Sequence, residues 1–295
     1  MQAPHRAIKT RSEKERFLVG LLDALWAGYR ARMPAVQRYE RLVAKDRGVF
    51  LNDHLAFRCF AAQKPLLGIP AVSRVFEALG YAAAGCYEFP DKRLSSQHYT
   101  HPNAQFPKLF ISQLKTWELS PASRRIIAKS LASHRPPLSD DFLADLHHVE
   151  ALGKDRRQRL LTMTRSYFSR LPWDLPQKKD VEALDRETQF GAWVLLNGYG
   201  VNHFTAAVSD IDRTVALMKG AGIAMKDEIE GAPGGKLRQS ATLAAVATMK
   251  ARQGNKIIRF PWTYAYFELA QRRDGFQGFL GPQASGLFEM TKLRR

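Results

Sequence analysis

Apolar residues recur at helical spacing between Ser12 and Arg32, where Phe17, Leu18, Leu21, Leu22, Leu25 and Trp26 form one stripe before Pro34. That spacing predicts a packing helix, with a second, shorter one over Tyr39 to Ala44. From Leu55 to Phe60 the pattern changes to a β-favouring run, followed by a predicted helix over Ile69 to Leu79 bracketed by Pro70 and Gly80. Strands are predicted over Ala82 to Phe89, Leu94 to Thr100 and Lys108 to Gln113, giving the order β-α-β-β-β. Ser120 to Glu187 reads as a helical insertion, with helices over Ala122 to Ala132, Ser139 to Ala151 and Asp155 to Leu171, divided by Pro136-Pro137 and closed by Pro172. The strand-helix order then restarts. Val201 to Val208 reads as a strand, Ile211 to Gly220 as a helix capped by Ser209 or Asp210, and Lys226 to Ile229 as a short strand. Gly231-Ala232-Pro233-Gly234-Gly235 reads as a hairpin loop, Leu237 to Met249 fits helix or strand equally, and Tyr264 to Leu269 is the last strand. The expected fold class is α+β, with two βαβββ modules in one curved mixed sheet. A single domain over 1–295 is expected: helices over 1–50, modules over 51–117 and 191–295, and the insertion over 118–190.

Composition narrows this picture. The 295 residues are 45% hydrophobic, enough to fill a core. No run approaches the roughly 18 apolar residues that a membrane span needs, and Met1 to Arg16 is charged, so no membrane partner and a cytoplasmic location are expected. Cys59 and Cys86 form no close pair, which excludes a disulfide framework and a cysteine-rich zinc site. The net charge of +17 suits a polyanion and keeps a nucleic-acid-binding reading open. Its basic residues are scattered, however, and the densest run, Lys154 to Arg159, has the character of a solvated helix face. The same field would attract a small dicarboxylate.

Three short runs carry candidate chemistry. His54 and His203 each sit in a β-favouring apolar stretch, and Glu268 lies in Tyr264-Ala265-Tyr266-Phe267-Glu268-Leu269-Ala270. A buried imidazole or carboxylate is costly unless something binds it, so two histidines and one carboxylate on three strands suggest a facial metal triad. Such a donor set suits Fe(II), and also Zn, Ni, Mn or Co, and leaves positions for substrate and dioxygen. Arg58 follows His54 by four residues and shares its face of the strand, about 13 Å away at roughly 3.3 Å per residue. Its guanidinium suits a distal carboxylate; a structural ion pair is the alternative. His98 and His101 are rival ligands, but their odd separation allows at most one to join. His147 and His148 read as helix-surface residues. Taken one at a time, His203 also fits a strand histidine bonded to backbone, and Glu268 a partner of Arg272 or Arg273.

The sequence resembles the iron-dependent 2-oxoadipate dioxygenase/decarboxylases, or 2-hydroxyglutarate synthases, which are related to the vicinal oxygen chelate enzymes. The resembling runs are 53–58, 107–114, 201–205, Leu237-Arg238-Gln239-Ser240-Ala241-Thr242, 266–272 and the tail 278–289, in family order. The resemblance implies a vicinal-oxygen-chelate-like fold, His54, His203 and Glu268 as iron ligands, and Arg58 as a catalytic, substrate-holding residue. Gln239, Ser240 and Thr242 would line the pocket. It further implies conversion of 2-oxoadipate and dioxygen to D-2-hydroxyglutarate and carbon dioxide, a step in lysine breakdown. Gln113 stands where a glutamate is expected and Lys108 where an arginine is common. A glyoxalase-like isomerase or an extradiol dioxygenase on the same architecture is the second enzymatic reading.

Overall fold

The computed structural model describes residues 4–46, 48–65, 67–135 and 138–281. Pro136-Pro137 and tail residues 282–289 therefore lie outside the described residues. No helix among those described is long and apolar enough to cross a membrane.

Helix α1 (Glu13–Arg30) begins where the Ser12 hydroxyl accepts from the Glu15 N–H, and it carries acidic residues in its first turn and Arg30 in its last. Its stripe from Phe17 to Tyr29 is buried. Helix α2 (Pro34–Lys45) is longer than its sequence pattern predicts, because Pro34 starts it as well as ending the previous segment; a first-turn proline has no N–H to lose. The first module follows as β1 (Leu51–Ala61), α3 (Ile69–Ala78), β2 (Ala82–Phe89), β3 (Leu94–Thr100) and β4 (Lys108–Lys115). The insertion holds α4 (Pro121–Leu131), α5 (Asp140–His147), α6 (Lys154–Ser169), α7 (Lys178–Glu187) and α8 (Gln189–Asn197). The second module comprises β5 (Val201–Ala207), α9 (Ile211–Gly220), β6 (Leu237–Ala241), a hairpin of β7 (Ala245–Gln253) and β8 (Lys256–Ala265), and β9 (Glu268–Arg272).

Seven strands form one mixed sheet in the order β2-β3-β4-β1-β5-β9-β6, and β7-β8 stand apart as a two-stranded sheet. The α+β expectation holds, as does the doubling of the module. In each copy the first strand pairs parallel with the last, β1 with β4 and β5 with β9. The two copies join where β1 runs antiparallel to β5. Leu55, Phe57, Cys59 and Phe204 belong to the core that the helices cover; Phe204 meets Trp26 and Tyr29 of α1 at 5.0 and 5.1 Å between ring centroids.

The second module departs from the sequence pattern in three places. Lys226 to Ile229 is not a strand: isolated bridges Met225↔Thr242 and Glu230↔Gln239 flank it, so the segment lies along β6 without a continuous ladder. The ambiguous run from Leu237 to Met249 divides into β6 and β7. The predicted strand Tyr264 to Leu269 breaks at Tyr266-Phe267, its first residues ending the β7-β8 hairpin and its last opening β9. The insertion also ends in α7 and α8, which periodicity did not reveal. Residues 190–196 of α8 are all buried, so no polar face marks its period.

Helix α8 hands the chain to β5 through Gly198, at φ 58° and ψ −126°, with Pro172 packed where a Cβ would stand. That conformation is nearly glycine-only. Gly198→Ala is expected to destabilise the protein by about 1–3 kcal/mol or more through backbone strain and the Pro172 contact. A lower urea midpoint with unchanged slope would bear this out, and an unchanged midpoint would contradict it.

Candidate metal centre

The seam between the modules carries two β-bulges. Along β1, Asn52 pairs with Ala206 and His54 with Thr205, which leaves Asp53 as an extra residue. Along β5, Ala56 pairs with His203 and Phe57 with Val201, which leaves Asn202 extra. A bulge re-aims side chains locally. Here it lets each extra residue bond the ring of the histidine that follows. His54 Nδ1 lies 2.7 Å from Asp53 Oδ1, and His203 Nδ1 lies 3.0 Å from Asn202 Oδ1. The Asn52 amide bonds the carbonyls of both His54 and Thr205, at 2.8 and 2.9 Å, and so staples the first bulge.

With Nδ1 of each ring assigned as the donor to its oxygen partner, both Nε2 atoms are left to face Glu268. Glu268 reaches them from β9, whose register sets it opposite Thr205, itself opposite His54. His203 Nε2 is 2.9 Å and His54 Nε2 3.5 Å from Glu268 Oε2. The three donors lie within 4.8 Å of one another, and all three residues are buried. Thr205 Oγ1 donates to Glu268 Oε2 at 3.1 Å and lies 3.0 Å from His54 Nε2, while Gln239 Nε2 donates to Glu268 Oε1.

The charges of these groups follow from their neighbours. Burial alone would raise the Glu268 carboxyl, yet His203 and His54 draw it down to about 2, so it is ionised at neutral pH. Burial works against a charged His54, but Asp53 and Glu268 outweigh it and raise its pKa. For His203 burial prevails, and its pKa is lowered despite Glu268. Asp53, although buried, is held well below the usual carboxylate range by hydrogen bonds from His54 and Arg272. Two imidazole nitrogens and an ionised carboxylate therefore converge in a buried space with their outer atoms already bonded. This donor set fits a divalent ion.

Arg58 is 2% exposed. Its guanidinium lies 4.8 Å from the Phe190 ring and 5.6 Å from Trp193, both on α8, its Nη1 donates to Gln189 Oε1 at 3.5 Å, and it lies beside the Tyr266 hydroxyl. Tyr266 in turn stacks on the His203 ring, with centroids 4.6 Å apart. The helical insertion and the metal-site strands thus enclose Arg58 together. Of the three residues in the Gln239 run, Gln239 bonds Glu268 directly. Ser240 pairs with Leu269 in register and so faces the other side of β6. Thr242 accepts from the Phe267 N–H at 3.0 Å and closes the gap between β8 and β9.

Neither rival histidine joins the cluster. His98 bonds the Tyr87 hydroxyl at 3.0 Å, and His101 accepts from the Asn103 N–H. His147 ends α5 and His148 caps it. Sequence reading assigned no role to Asp53, Asn202, Thr205 or Phe279, whose ring meets His54 edge-on at 4.9 Å. A signal existed for the first two, since each candidate histidine follows a side chain that can accept a hydrogen bond.

A family model described as 2-oxoadipate dioxygenase/decarboxylase matches residues 21–276, a span that contains every strand of the sheet. The chain is 28% identical over 265 residues to the chloroplastic/amyloplastic 2-oxoadipate dioxygenase/decarboxylase of Oryza sativa subsp. japonica, covering 83% of this chain and 66% of that protein. It thus spans about two thirds of that relative's length. In fold it is similar to a glyoxalase superfamily protein from Ralstonia eutropha, with a TM-score of 0.84 at 23% identity, covering 92% of this chain and 89% of the other. The hydroxyglutarate synthase of Oryza sativa, crystallised in complex with 2-oxoadipate, matches with a TM-score of 0.76 at 25% identity over 96% of this chain and 94% of its own. With the family match running from α1 to just beyond β9, the chain belongs to the 2-oxoadipate dioxygenase/decarboxylase family.

Proposed function

We propose that the chain is a mononuclear Fe(II) oxygenase that converts 2-oxoadipate and dioxygen to D-2-hydroxyglutarate and carbon dioxide, in the cytoplasm, as a step of lysine breakdown. The observation that carries this reading is the convergence of His54 Nε2, His203 Nε2 and the Glu268 carboxylate within 4.8 Å on one sheet, with Arg58 on the same strand as His54. The rice relative crystallised with 2-oxoadipate supports the choice of substrate.

His54, His203 and Glu268 would hold the iron, and Asp53 and Asn202 would keep both Nε2 lone pairs turned toward it. Bound iron would supply dioxygen activation and the oxidative loss of the 2-oxo acid's carboxylate. Arg58 would bind the distal carboxylate with its planar fork, held between aromatic faces that exclude water and strengthen the ion pair. Gln239 and Thr205 would fix the two oxygens of Glu268 and so orient the carboxylate. Phe279 and Tyr266 would cover the two histidine rings and keep bulk water from the reacting centre.

Anaerobic reconstitution with Fe(II), followed by addition of 2-oxoadipate in air-saturated buffer, should give oxygen uptake matched by carbon dioxide and 2-hydroxyglutarate in equal amounts. 2-Oxoglutarate serves as the comparison substrate. Iron binding without uptake on either acid would reject the oxygenase reading and point to isomerase chemistry. Glu268→Ala should lose stoichiometric Fe(II) binding, and stoichiometric iron in that variant would reject the assigned ligand set. Arg58→Gln should retain iron yet raise the KM for 2-oxoadipate about 10- to 100-fold, the loss expected for a hydrogen bond to a charged group. An unchanged KM would remove Arg58 from the substrate site.

A further inference from the structure

We propose that Arg272 is a positioning residue that ties the orientation of His54 to the docking of the segment after β9 (273–281), so that the chain downstream of the last ligand holds the first ligand in place. The inference rests on the metal-centre reading and adds to it a part that the ligands themselves do not reveal.

One guanidinium makes all the connections. Its Nε donates to Asp53 Oδ2 at 2.7 Å and its Nη2 to Asp53 Oδ1 at 3.0 Å, a bidentate pair in which Asp53 is almost wholly enclosed. The same Asp53 Oδ1 accepts from His54 Nδ1. Its Nη1 turns the other way and donates to the carbonyls of Gly278 at 2.6 Å and Phe276 at 3.5 Å. An isolated ion pair would need only the first two bonds. The others draw the segment back over the sheet, where Phe279 lands among His54, Phe110 and His98 at centroid distances of 4.9, 4.8 and 5.3 Å. The Phe279 N–H donates to the Tyr87 hydroxyl at 3.3 Å, which anchors the segment to β2 as well. His54 is thereby held twice by one strap, through Asp53 at its Nδ1 and through the Phe279 edge at its ring.

Among the described residues His203 has no counterpart to this. Its Nδ1 partner is the neutral Asn202, and its ring is packed by Tyr266. The two histidines therefore depend differently on the downstream segment: disturbing the strap should loosen His54 and leave His203 alone. Outer partners of a metal-bound imidazole are commonly worth 10- to 100-fold in metal affinity.

The test is Co(II) binding to the full chain, followed by the ligand-field bands of the bound ion and by competition with a chelator. Asp53→Asn and Arg272→Gln should each weaken Co(II) by about 10- to 100-fold. Because part of the effect of Arg272 runs through Asp53, the double variant should lose less Co(II) affinity than the sum of the two single losses. Phe279→Ala should speed Co(II) loss to the chelator, and Arg272→Lys should recover part of the Arg272→Gln defect. Thermal melting of each protein without metal checks the fold; should Arg272→Gln not fold, Arg272→Lys and Phe279→Ala carry the test. Wild-type affinity in Arg272→Gln, or additive losses in the double variant, would overturn the link while leaving the centre intact. Equal Co(II) binding by wild type and His203→Ala would instead sink the metal centre, and the link with it.

Discussion

The antiparallel pairing of β1 with β5 is the constraint on which the rest depends. Among the described residues it is the only place in the seven-stranded sheet where strands of the two modules pair. It sets His54 beside Thr205 and Ala56 beside His203, and the parallel pairing of β5 with β9 then sets Glu268 beside Thr205. A slip of one residue anywhere along this seam would turn donors from one face to the other. The apolar residues of β1 and β5 make such a slip costly, because Leu55, Phe57 and Phe204 would leave the helices for the polar side. The packing of α1 against Phe204 therefore protects the geometry of groups on the opposite face of the sheet.

Around that seam lies an unusual amount of buried polarity. His54, His203, Glu268, Asp53, Arg58, Thr205 and Gln239 are all buried, and an unbonded polar group in such surroundings destabilises a fold by about 1–3 kcal/mol. The protein answers with mutual satisfaction. Asp53 is shared by His54 and Arg272, Glu268 by two histidines, a threonine and a glutamine, and Arg58 by the Gln189 amide and two aromatic faces. The arrangement is over-determined, which is what a site needs if its donors are to stand ready before anything binds.

Much of this was legible in the sequence. The two βαβββ modules announced themselves because a period of two and a period near 3.6 alternate twice in the same order, and His54 and His203 stand out as single polar residues in apolar runs. Glu268 was visible for the same reason. What escaped were features without a period. The bulges at Asp53 and Asn202 interrupt strand alternation by one residue each, which reads as noise in a hydrophobic pattern. Helix α8 is apolar on every side, so nothing in its sequence separates it from a strand or a loop. The break at Tyr266-Phe267 is invisible because both flanks favour β structure; it arises from the Thr242 side chain bonding Phe267, a partner 25 residues away. Ser240 shows the limit from the other direction: it neighbours Gln239 in the sequence, and register alone sets it opposite Leu269, on the other face of β6.

The seam has a bearing on the order in which the molecule comes into being. His54 and Thr205 are 151 residues apart in the chain, with the whole helical insertion between them. Closing so long a loop is slow and entropically unfavourable, and neither module alone contains all three donors. A nascent chain that has finished only its first module holds one of the three donors, His54, with little grip on any ion. The donors assemble when the two halves of the sheet meet, so possession of the complete set is a certificate of finished topology, and misjoined or half-made molecules would compete poorly for metal in a crowded cell.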